Sequence, residues 1–281
     1  MSGDDRVAAV MGWPVAHSRS PLMHRYWLRH YGIAGDYVKL PVRAENLGAA
    51  LRALPALGIV GANLTLPHKE AALAIVDDAT HVARAIGAAN TITVRPDGSL
   101  LADNSDAFGF IENLHAAAPD WHPGTAPATV LGAGGAARAV VAALLDHGVP
   151  EVRLLNRNLA RAEALRVALG GRMIRVLPWE KRTKALAGAG LLVNATSLGM
   201  AGASPLDLPL DRLPIDAIVD DIVYVPLETP LLAEARRRGH VAVDGLGMLL
   251  HQGRPGFALW FGTMPEVTAE LRAIMEASLA P

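Results

Sequence analysis

The feature that most constrains the fold is a glycine-rich turn, G-A-G-G-A-A, at residues 132–137. It follows the apolar run at 129–131 and leads into an alanine-rich stretch at 138–145, in the order strand, turn, helix. In the spacing G-x-G-x-x-A, the first glycine allows a tight turn and the second lets a pyrophosphate approach the backbone. The small third residue lets helix and strand pack closely, and the N–H groups that open the helix bind the anion. The pattern in this context predicts a dinucleotide-binding unit rather than a plain glycine-rich connection.

The residues after the next predicted strand, 151–155, indicate which dinucleotide binds. An NAD site usually places a carboxylate about 20 residues after the glycines, where it bonds the ribose 2′-hydroxyl. Here Asn156 and Arg157 occupy that position, Arg161 follows one helical turn later, and no acid lies between positions 152 and 162. A guanidinium offers a 2′-phosphate a charged fork of donors, whereas an acid would repel it. We therefore predict an NADP site; the alternative is that both arginines are solvated helix charges.

Composition excludes several classes of protein. The chain has 281 residues, 51% of them hydrophobic, enough for one large domain or two ordinary ones with sizeable cores. Its net charge of −1 gives no electrostatic reason to expect nucleic acid or an anionic membrane as partner. The absence of cysteine excludes disulfides, thiolate catalysis and cysteine-based zinc sites. His17, His68 and His251 lack a metal-binding spacing, so no metal is expected.

No targeting segment is expected either. Residues 1–6 are polar and acidic, unlike a signal peptide. No apolar run approaches the roughly 18 residues of a membrane-spanning helix. We therefore expect a soluble cytoplasmic enzyme that acts on small molecules, without nucleic-acid or membrane partners; a homodimer is left open.

Strand and helix patterns alternate along the chain, which favours an α/β fold of two lobes, each built on a mostly parallel sheet. We expect residues 1–104 to form a substrate-binding and catalytic domain and 105–245 a Rossmann-type NADP-binding domain. Residues 246–281 are expected to be helical and to pack back on the first lobe. Strands are predicted at 7–11, 37–40, 62–66, 91–94, 99–101, 129–131, 151–155, 173–177, 191–193, 218–220 and 240–243, and helices at 21–31, 45–57, from about 68, and at 105–118, 138–145, 229–238 and from 245.

Polar residues cluster where the strands of the first lobe end, which is where open α/β sheets bind ligands. Ser18 and Ser20 precede the helix predicted to have Pro21 at its first position. Capping explains Ser20 in part, but it does not explain Ser18. Two hydroxyls beside the N–H groups of a helix start suit an anion such as a carboxylate.

Lys69 follows the strand on which Asn63, Thr65 and Pro67 share one face. We expect Lys69 to lie in the first turn of a helix, where the helix dipole disfavours a cation. A charge placed against local preference suggests a function. The hypothesis is that the dipole and partial desolvation favour its neutral form and make it a proton carrier; the alternative is a solvated lysine.

Other polar residues extend the candidate site. Asp106 is expected in the first turn of a helix, where it either complements the dipole or orients the Lys69 ammonium. Asp103 is expected to be structural. Asn90 opens a strand, and Gln252 offers both a donor and an acceptor. The stretch at 194–200 follows a strand and should line the dinucleotide site, whereas Met248, Leu249 and Leu250 are expected to pack more than bind.

Several of these stretches together resemble the shikimate dehydrogenase family. The resemblance runs from Gly12 to Gln252, and the joint occurrence of its motifs is far more specific than the glycine turn alone. The motifs are G-W-P-V-A-H-S-R-S-P-L-M-H, G-A-N-L-T-L-P-H-K, G-A-A-N-T, D-N-S-D-A-F-G-F, G-A-G-G-A-A-R-A, N-R-N-L-A-R-A, N-A-T-S-L-G-M, D-I-V-Y-V-P and G-M-L-L-H-Q.

The resemblance implies reversible reduction of 3-dehydroshikimate to shikimate with NADPH, a step towards chorismate and the aromatic amino acids. It implies that Lys69 and Asp106 are the catalytic pair and that Lys69 passes a proton to the C3 oxygen. The implied substrate-binding residues are Ser18, Ser20, Asn63, Thr65, Lys69, Asn90, Asp106, Tyr224 and Gln252. The implied NADP-binding residues are Gly132, Gly134, Gly135, Ala136, Asn156, Arg157, Asn158, Arg161, Thr196, Ser197, Met200, Ile222, Gly245 and Met248.

Three positions depart from the family pattern. Asn158 stands where the family often has Thr, so one contact to the 2′-phosphate is expected to differ. Arg25 replaces a frequent Asn, and Ser105 replaces a frequent Thr while keeping the hydroxyl. None of the three removes a residue with a chemical role.

Four alternative functions stay open from the residues. An NAD-dependent quinate/shikimate dehydrogenase should carry an acid near Asn156, and this chain does not. The serine pair argues for shikimate but leaves open an aminoshikimate-type paralogue. A non-catalytic NADP-binding regulator would not need Lys69 and Asp106. A methylenetetrahydrofolate dehydrogenase would share the two-lobed plan without needing the two serines.

Overall fold

The computed structural model describes residues 5–279, so the polar residues 1–4 of the expected non-signal N-terminus lie outside the described part. The chain divides into two compact units. The first runs to Ser105 and resumes at Leu249, and the second is Asp106–Met248. Within residues 5–279, no helix combines the length and the apolar character needed to cross a bilayer.

The first unit contains a six-stranded, mostly parallel sheet, as predicted. Its strand order is β2-β1-β3-β5-β6-β4. β1 pairs in parallel with β2 and β3, while β5 runs antiparallel to both of its neighbours. The strands are β1 (Arg6–Gly12), β2 (Gly35–Pro41), β3 (Ile59–Leu64), β4 (Asp78–Ala79), β5 (Thr91–Val94) and β6 (Leu100–Asp103), and the helices are α1 (Ser20–His30), α2 (Leu47–Ala53) and α3 (His81–Ile86).

The second unit is a six-stranded sheet whose strands all pair in parallel. Its order, β12-β11-β10-β7-β8-β9, is the doubly wound order 3-2-1-4-5-6 of dinucleotide-binding domains. The strands are β7 (Ala128–Leu131), β8 (Val152–Leu155), β9 (Ile174–Leu177), β10 (Leu191–Asn194), β11 (Ile218–Asp221) and β12 (Ala242–Asp244), and the helices are α4 (Asp106–Ala117), α5 (Gly135–Asp146), α6 (Leu159–Ala168), α7 (Arg182–Ala185) and α8 (Pro230–Arg238).

The C-terminal segment is helical and packs within the first unit, which confirms that prediction. α9 (Gly245–Phe261) is followed by α10 (Ala269–Ala277). The Trp260 indole donates to the carbonyl of Ile92 at 3.1 Å, and Trp27 donates to the carbonyl of Glu266 at 3.0 Å. Tyr26 donates to the carboxylate of Glu270 at 2.8 Å. These bonds attach the segment to β5 and α1.

One helix prediction in the first unit ends too late, and a second is wrong. The helix predicted at 45–57 is a 3₁₀ turn, Ala44–Asn46, followed by α2, which stops at Ala53. Pro55 has no N–H for the helical hydrogen bond and so stops the helix. No α-helix begins near His68. The segment instead makes tight turns and then the 3₁₀ turn Ala71–Ala74. The carbonyl of Lys69, which a helix would use for its own hydrogen bond, accepts from the N–H of Ala89 at 2.7 Å, and the buried His68 ring bonds the carbonyl of Val42 at 2.8 Å.

Candidate active site

The turn after β1 brings the two predicted serines together. The hydroxyls of Ser18 and Ser20 lie 3.3 Å apart, and the Ser20 N–H donates to the Ser18 hydroxyl at 3.3 Å. Ser20 is the first residue of α1, so the prediction that it is the N-cap is wrong. The cap residue is Arg19, whose side chain makes no capping bond. The helix starts one residue earlier than predicted, and the Ser18 hydroxyl accepts from the N–H of its first residue.

The end of β3 places Thr65 beside this turn. Thr65 is half-buried, and its N–H donates to the carbonyl of Met11 at 2.9 Å. A Cβ on Gly12 would stand 2.3 Å from the Thr65 methyl group, so the two chain segments require glycine there. Thr65 therefore lies next to the strand end from which the serine turn departs.

Asn63 lies on the same strand and is buried with its amide fully engaged. Its Oδ1 accepts from the Tyr37 hydroxyl at 2.7 Å. Its Nδ2 donates to the carbonyl of Asn90 at 3.1 Å and to the Thr91 hydroxyl at 3.3 Å. Both amide hydrogens are thus used inside the unit, which favours a supporting role for Asn63 over direct binding.

Lys69 occupies a turn rather than a helix, so the argument from a helix dipole does not apply to it. Its side chain is half-buried. Its carbonyl accepts from the N–H of Ala89 at 2.7 Å, which fixes its backbone beside the segment that carries Asn90. The backbone of Lys69 is therefore held by the segment that precedes β5 and not by local helix formation.

Asn90 and Gln252 are joined directly, although 162 positions separate them along the chain. The Asn90 amide nitrogen donates to the Gln252 oxygen at 3.2 Å, and the Asn90 oxygen accepts from the Ser105 N–H at 2.8 Å. Gln252 in turn donates to the carbonyl of Leu249 at 3.0 Å. The side chains of Asn90, Ser105 and Gln252 are buried. The helix α9 thus contributes Gln252 to the group of buried polar side chains beside β5.

In the second unit, the glycine turn after β7 has the geometry of an anion cradle. Gly132 has φ +111°, and a Cβ there would stand 2.6 Å from the carbonyl oxygen of Ala195. Gly134 is the N-cap of α5, and no side chain caps this helix. A Cβ on Gly134 would meet nothing within 4 Å, so the space beside it is open. Gly135 and Ala136 open the helix, half-buried. These residues fit a dinucleotide pyrophosphate.

The residues after β8 form a small ordered turn. The Asn156 amide donates to the carbonyl of Asn158 at 2.8 Å. The Asn158 side chain caps α6 by accepting from the N–H of Arg161 at 3.1 Å. Arg157 and Arg161 are exposed. Asn158 thus shapes the turn that presents both arginines, a donor set that suits a phosphate.

The loops after β10 and β11 are joined through a buried carboxyl group. Asp221 accepts from the Asn194 amide at 2.9 Å and from the Thr229 hydroxyl at 2.7 Å. Burial outweighs these bonds and raises the pKa of Asp221 to about 6. Thr196 donates to Asn194 at 2.7 Å. The loop is therefore tied down at Thr196, while Ser197 and Met200 are exposed.

The remaining predicted residues of this unit differ in exposure. A Cβ on Gly245 would stand 2.2 Å from the carbonyl oxygen of Ile222, so the two predicted residues touch. Tyr224 and Ile222 are half-buried. Met248 is 7% exposed and packs in the core of the unit, in line with the expectation that it packs more than binds. Asp106 is the buried first residue of α4.

Among residues 5–279, no three histidine, cysteine or acidic side chains are grouped so that they could hold a metal ion.

Models of three protein domains match the chain. The "Shikimate dehydrogenase substrate binding domain" matches residues 10–92 and the "Shikimate / quinate 5-dehydrogenase" model matches residues 119–200. The "Shikimate 5'-dehydrogenase C-terminal domain" matches residues 245–275. A protein of Paramagnetospirillum magneticum named "Shikimate dehydrogenase (NADP(+))" is 56% identical, with 98% of this chain and 99% of that protein covered.

The chain belongs to the shikimate dehydrogenase family.

Solved structures of similar proteins have the same fold over nearly their whole length. The Thermus thermophilus shikimate 5-dehydrogenase, in complex with NADP(H) and shikimate, has a TM-score of 0.84 at 41% identity, with 98% of each chain covered. The Corynebacterium glutamicum quinate dehydrogenase, in complex with NAD, has a TM-score of 0.89 at 30% identity, with 98% and 99% covered. Fold similarity therefore does not separate the two specificities within this family.

Sequence reasoning missed one residue of the first unit and underrated another. Tyr37 is a buried strand tyrosine whose hydroxyl donates to Asn63. Ser105 positions Asn90 through its backbone N–H. A lone tyrosine in an apolar strand gives no local sign of its partners. In this member of the shikimate dehydrogenase family, only the strand order β2-β1-β3 brings Tyr37 to Asn63.

Proposed function

We propose that this chain is an NADP-dependent shikimate dehydrogenase that reversibly reduces 3-dehydroshikimate to shikimate, on the route to chorismate and the aromatic amino acids. The observation that carries the proposal is the 56% identity, over 98% of this chain, to a relative named "Shikimate dehydrogenase (NADP(+))". The geometry of both units agrees with it: one offers hydroxyls and amides to a polyol acid, and the other offers a glycine turn and arginines to a phosphorylated dinucleotide.

We assign recognition of the substrate to the first unit. The paired hydroxyls of Ser18 and Ser20 would donate to the carboxylate, beside the N–H groups at the start of α1. Thr65, Asn90 and Gln252 would contact the ring hydroxyls, with Asp106 as a further partner. Asn63 and Tyr224 would lie near the substrate, Asn63 acting through its neighbours.

We assign the proton transfer to Lys69 and Asp106. NADPH, when bound, supplies the hydride that adds to the C3 carbonyl carbon. The Lys69 ammonium donates a proton to the oxygen of that carbonyl, and in the reverse direction the amine takes it back. The carboxylate of Asp106 would orient the ammonium and relay its proton. One hydride and one proton convert the ketone to the alcohol, so the atoms balance.

We assign the cofactor to the second unit. Gly132, Gly134, Gly135 and Ala136 would receive the pyrophosphate. Asn156, Arg157, Asn158 and Arg161 would hold the adenosine 2′-phosphate, with Asn158 also shaping the turn. Met200 and Gly245 would lie near the nicotinamide, and Thr196, Ser197, Ile222 and Met248 would complete the pocket around it.

On these assignments, residues 1–104 with the segment 246–281 form the substrate-binding and catalytic domain, and residues 105–245 form the NADP-binding domain. We also propose a cytoplasmic location and a homodimer. Cell fractionation and sedimentation equilibrium test these two points.

Quinate dehydrogenase activity is the second candidate, because a quinate dehydrogenase with bound NAD has a TM-score of 0.89 to this chain. An acid that would bond the ribose of NAD is absent near Asn156. The test is the rate of reduction of NADP and of NAD with shikimate and with quinate, in all four combinations. Fastest turnover with shikimate and NADP is expected. Fastest turnover with quinate, or with NAD, would reject the proposed function.

A further inference from the structure

The carboxylate of Asp221, at the end of β11, joins three segments of the second unit. Its Oδ1 accepts from the Asn194 amide at 2.9 Å and from the N–H of Val223 at 3.1 Å. Its Oδ2 accepts from the Thr229 hydroxyl at 2.7 Å. Asn194 ends β10, Val223 lies in the loop after β11, and Thr229 caps α8. One fully buried side chain therefore ties two loops and a helix start to each other.

Asn194 extends this connection into the loop after β10. Its Nδ2 donates to Asp221 and also to the carbonyl of Leu198, at 3.0 Å. Its Oδ1 accepts from the N–H of Thr196 at 3.2 Å and from the hydroxyl of Thr196 at 2.7 Å. A carbonyl can only accept and an N–H can only donate, so these two partners fix the orientation of the Asn194 amide. The Thr196 hydroxyl also accepts from the N–H of Leu198 at 3.0 Å, and the loop is thus folded around Asn194.

The start of α8 is the rigid end of this arrangement. Thr229 is 1% exposed, and its hydroxyl caps the helix by accepting from the N–H of Leu232 at 3.3 Å. The apolar side chains of Leu231, Leu232 and Ala235 pack α8 into the core of the unit. The single proton of the Thr229 hydroxyl goes to Asp221. The carboxylate is therefore anchored to a packed helix, and both loops are anchored to the carboxylate.

The strand order places these loops where the nicotinamide half of a dinucleotide is expected. In the order β12-β11-β10-β7-β8-β9, β10 and β11 lie on the opposite side of β7 from β8. Such sheets bind a dinucleotide across the point where the order reverses, with the pyrophosphate at the first turn. The arginines after β8 mark the adenosine half, which leaves the ends of β10 and β11 for the nicotinamide. The loop after β10 also adjoins the glycine turn, since a Cβ on Gly132 would stand 2.6 Å from the carbonyl oxygen of Ala195.

We propose that Asp221 is a positioning residue for the nicotinamide half of NADP: its carboxylate holds the loops at 194–200 and 222–226 in the shape that receives the cofactor. The proposal rests on the proposed function, which assigns residues of both loops to the nicotinamide pocket. Asp221 is fully buried, so it acts through Asn194, Val223 and Thr229 and not on the cofactor itself.

Removal of the carboxylate affects one half of the cofactor site. Asn194, Val223 and Thr229 lose a shared acceptor, and the two loops are no longer joined to α8. The free protein then adopts other loop shapes, and the apparent Kd rises as the fraction of molecules in the binding shape falls. The turn after β8 keeps its own contacts, because Asn158 caps α6 without help from Asp221. The loss should therefore be confined to the nicotinamide half.

The experiment compares two ligands that share the adenosine half. NADP and adenosine 2′,5′-bisphosphate, which lacks the nicotinamide riboside, are titrated by calorimetry into wild type, Asp221→Leu and Asp221→Asn. Leucine has a branched side chain like that of aspartate and accepts no hydrogen bond. In Asp221→Asn, the amide oxygen keeps the bonds from Asn194 and Val223, and the NH₂ group faces the Thr229 hydroxyl, which can accept.

Asp221→Leu is expected to raise Kd for NADP roughly ten- to a hundredfold, the range of two or three net hydrogen bonds. Kd for the bisphosphate should stay within about twofold of wild type on the same scale. Asp221→Asn should keep both Kd values within about threefold. A wild-type Kd for NADP in Asp221→Leu, or an equal rise for both ligands, overturns the positioning role. Failure of the wild type to bind NADP overturns the proposed function instead.

Two buried threonines provide a second test if Asp221→Leu does not fold. Thr229→Val removes the bond to Asp221, and Thr129→Val is its matched control. Thr129 is also buried, lies on β7 of the same sheet and donates its hydroxyl to the carbonyl of Ala185 at 2.9 Å. Both variants should lower Tm, but only Thr229→Val is expected to raise Kd for NADP, roughly three- to tenfold, the range of one net hydrogen bond. Equal Kd values for NADP in the two valine variants overturn the proposal.

Discussion

The two units each have a turn that leads from a central strand into a helix, but the two turns offer an anion different groups. After β1, the side-chain hydroxyls of Ser18 and Ser20 stand at the start of α1. After β7, only glycine and alanine backbone stands at the start of α5. The N-cap residue of neither helix makes a side-chain capping bond, unlike the N-cap residues of α3, α6, α8 and α10. A substitution that removes a side-chain hydroxyl should therefore weaken anion binding at the first turn. At the second turn, a substitution that adds a side-chain atom beside the backbone should do so.

The interiors behind the two turns differ as well. In the first unit, the buried side chains of Tyr37, Asn63, Thr91 and Asn90 are joined to one another by hydrogen bonds. The second has an apolar row across its sheet, Val130–Val193–Asp220–Val243, in which Asp220 alone is polar. The Asp220 carboxyl is fully buried and has no hydrogen-bond partner. Specific recognition by side chains requires an organised polar interior, while recognition by backbone requires mainly a rigid apolar sheet.

The largest effect is expected where a side chain carries the chemistry. Lys69→Ala should lower kcat by at least ~10²-fold with a modest change in KM, as expected for the loss of a general acid. Steady-state kinetics with shikimate and NADP measure this, with Kd for shikimate as the control for folding and binding. Unchanged turnover would remove Lys69 from the mechanism and, with it, the contrast between the units.

The glycine turn after β7 would bind the cofactor through its backbone, so adding a side-chain atom there should weaken cofactor binding. Gly134→Ala should raise KM for NADP about ten- to a hundredfold at unchanged Tm, because a close contact is overpacked only when the pyrophosphate binds. The structure leaves the space of that Cβ open.

Gly132→Ala is the matched control for Gly134→Ala. Gly132 has φ +111°, and a Cβ there would stand 2.6 Å from the carbonyl oxygen of Ala195. The alanine would therefore strain the protein without ligand, so Tm should fall before any ligand is added. If Gly134→Ala bound NADP as tightly as wild type, the pyrophosphate would not lie against this turn.

A smaller effect is expected where the second unit offers exposed side chains to the 2′-phosphate. Arg157→Ala should raise KM for NADPH about tenfold and leave KM for NADH nearly unchanged, since an exposed guanidinium makes a charge-assisted but screened contact. Arg166→Ala is the control, because Arg166 lies on α6 and pairs with Glu163 at 2.6 Å. Equal effects of Arg157→Ala on both cofactors would contradict recognition of the 2′-phosphate.

The smallest effect on activity is expected at Asp220, where stability should change instead. Burial raises the pKa of Asp220 well above its usual value, and the charges of Asp221 and Asp244 add to this. The folded state thus favours the protonated carboxyl. Stability from this group is present below about pH 4, the pKa of the unfolded chain, and is lost as the pH rises above it.

Asp220→Val completes the apolar row and removes this pH-dependent loss. Tm is expected to rise by roughly 3–8 °C at pH 8, from relief of ~1–3 kcal/mol of unpaired burial, and by less at pH 4. Thermal unfolding at the two pH values measures it, with kcat unchanged. A variant that is less stable than wild type at pH 8, or a gain that does not depend on pH, would contradict this account of the interior.

Predictability follows the range of the interactions involved. The glycine turn and the strands around it were predicted closely, because period-2 and period-3.6 patterns and turn chemistry are local. The helix prediction at Lys69 is wrong, because the carbonyl of Lys69 accepts from the N–H of Ala89, a residue distant in the chain. The N-cap at Ser20 was misplaced by one residue. The positions of Ser18, Lys69 and Arg157 at strand ends needed only the strand order expected of α/β sheets.

The sequence by itself determined the two α/β units, the glycine turn, the lack of an acid after β8 and the motifs of the family, since each is written in neighbouring residues. Only the tertiary structure decided which buried polar groups form hydrogen bonds with each other. Tyr37 meets Asn63, and Asn90 meets Gln252 across 162 positions, because the sheet order and α9 bring them within 3.2 Å. The direction of each hydrogen bond is then set by backbone carbonyls and N–H groups that can only accept or only donate. No local pattern encodes that choice, because it depends on partners distant in the chain.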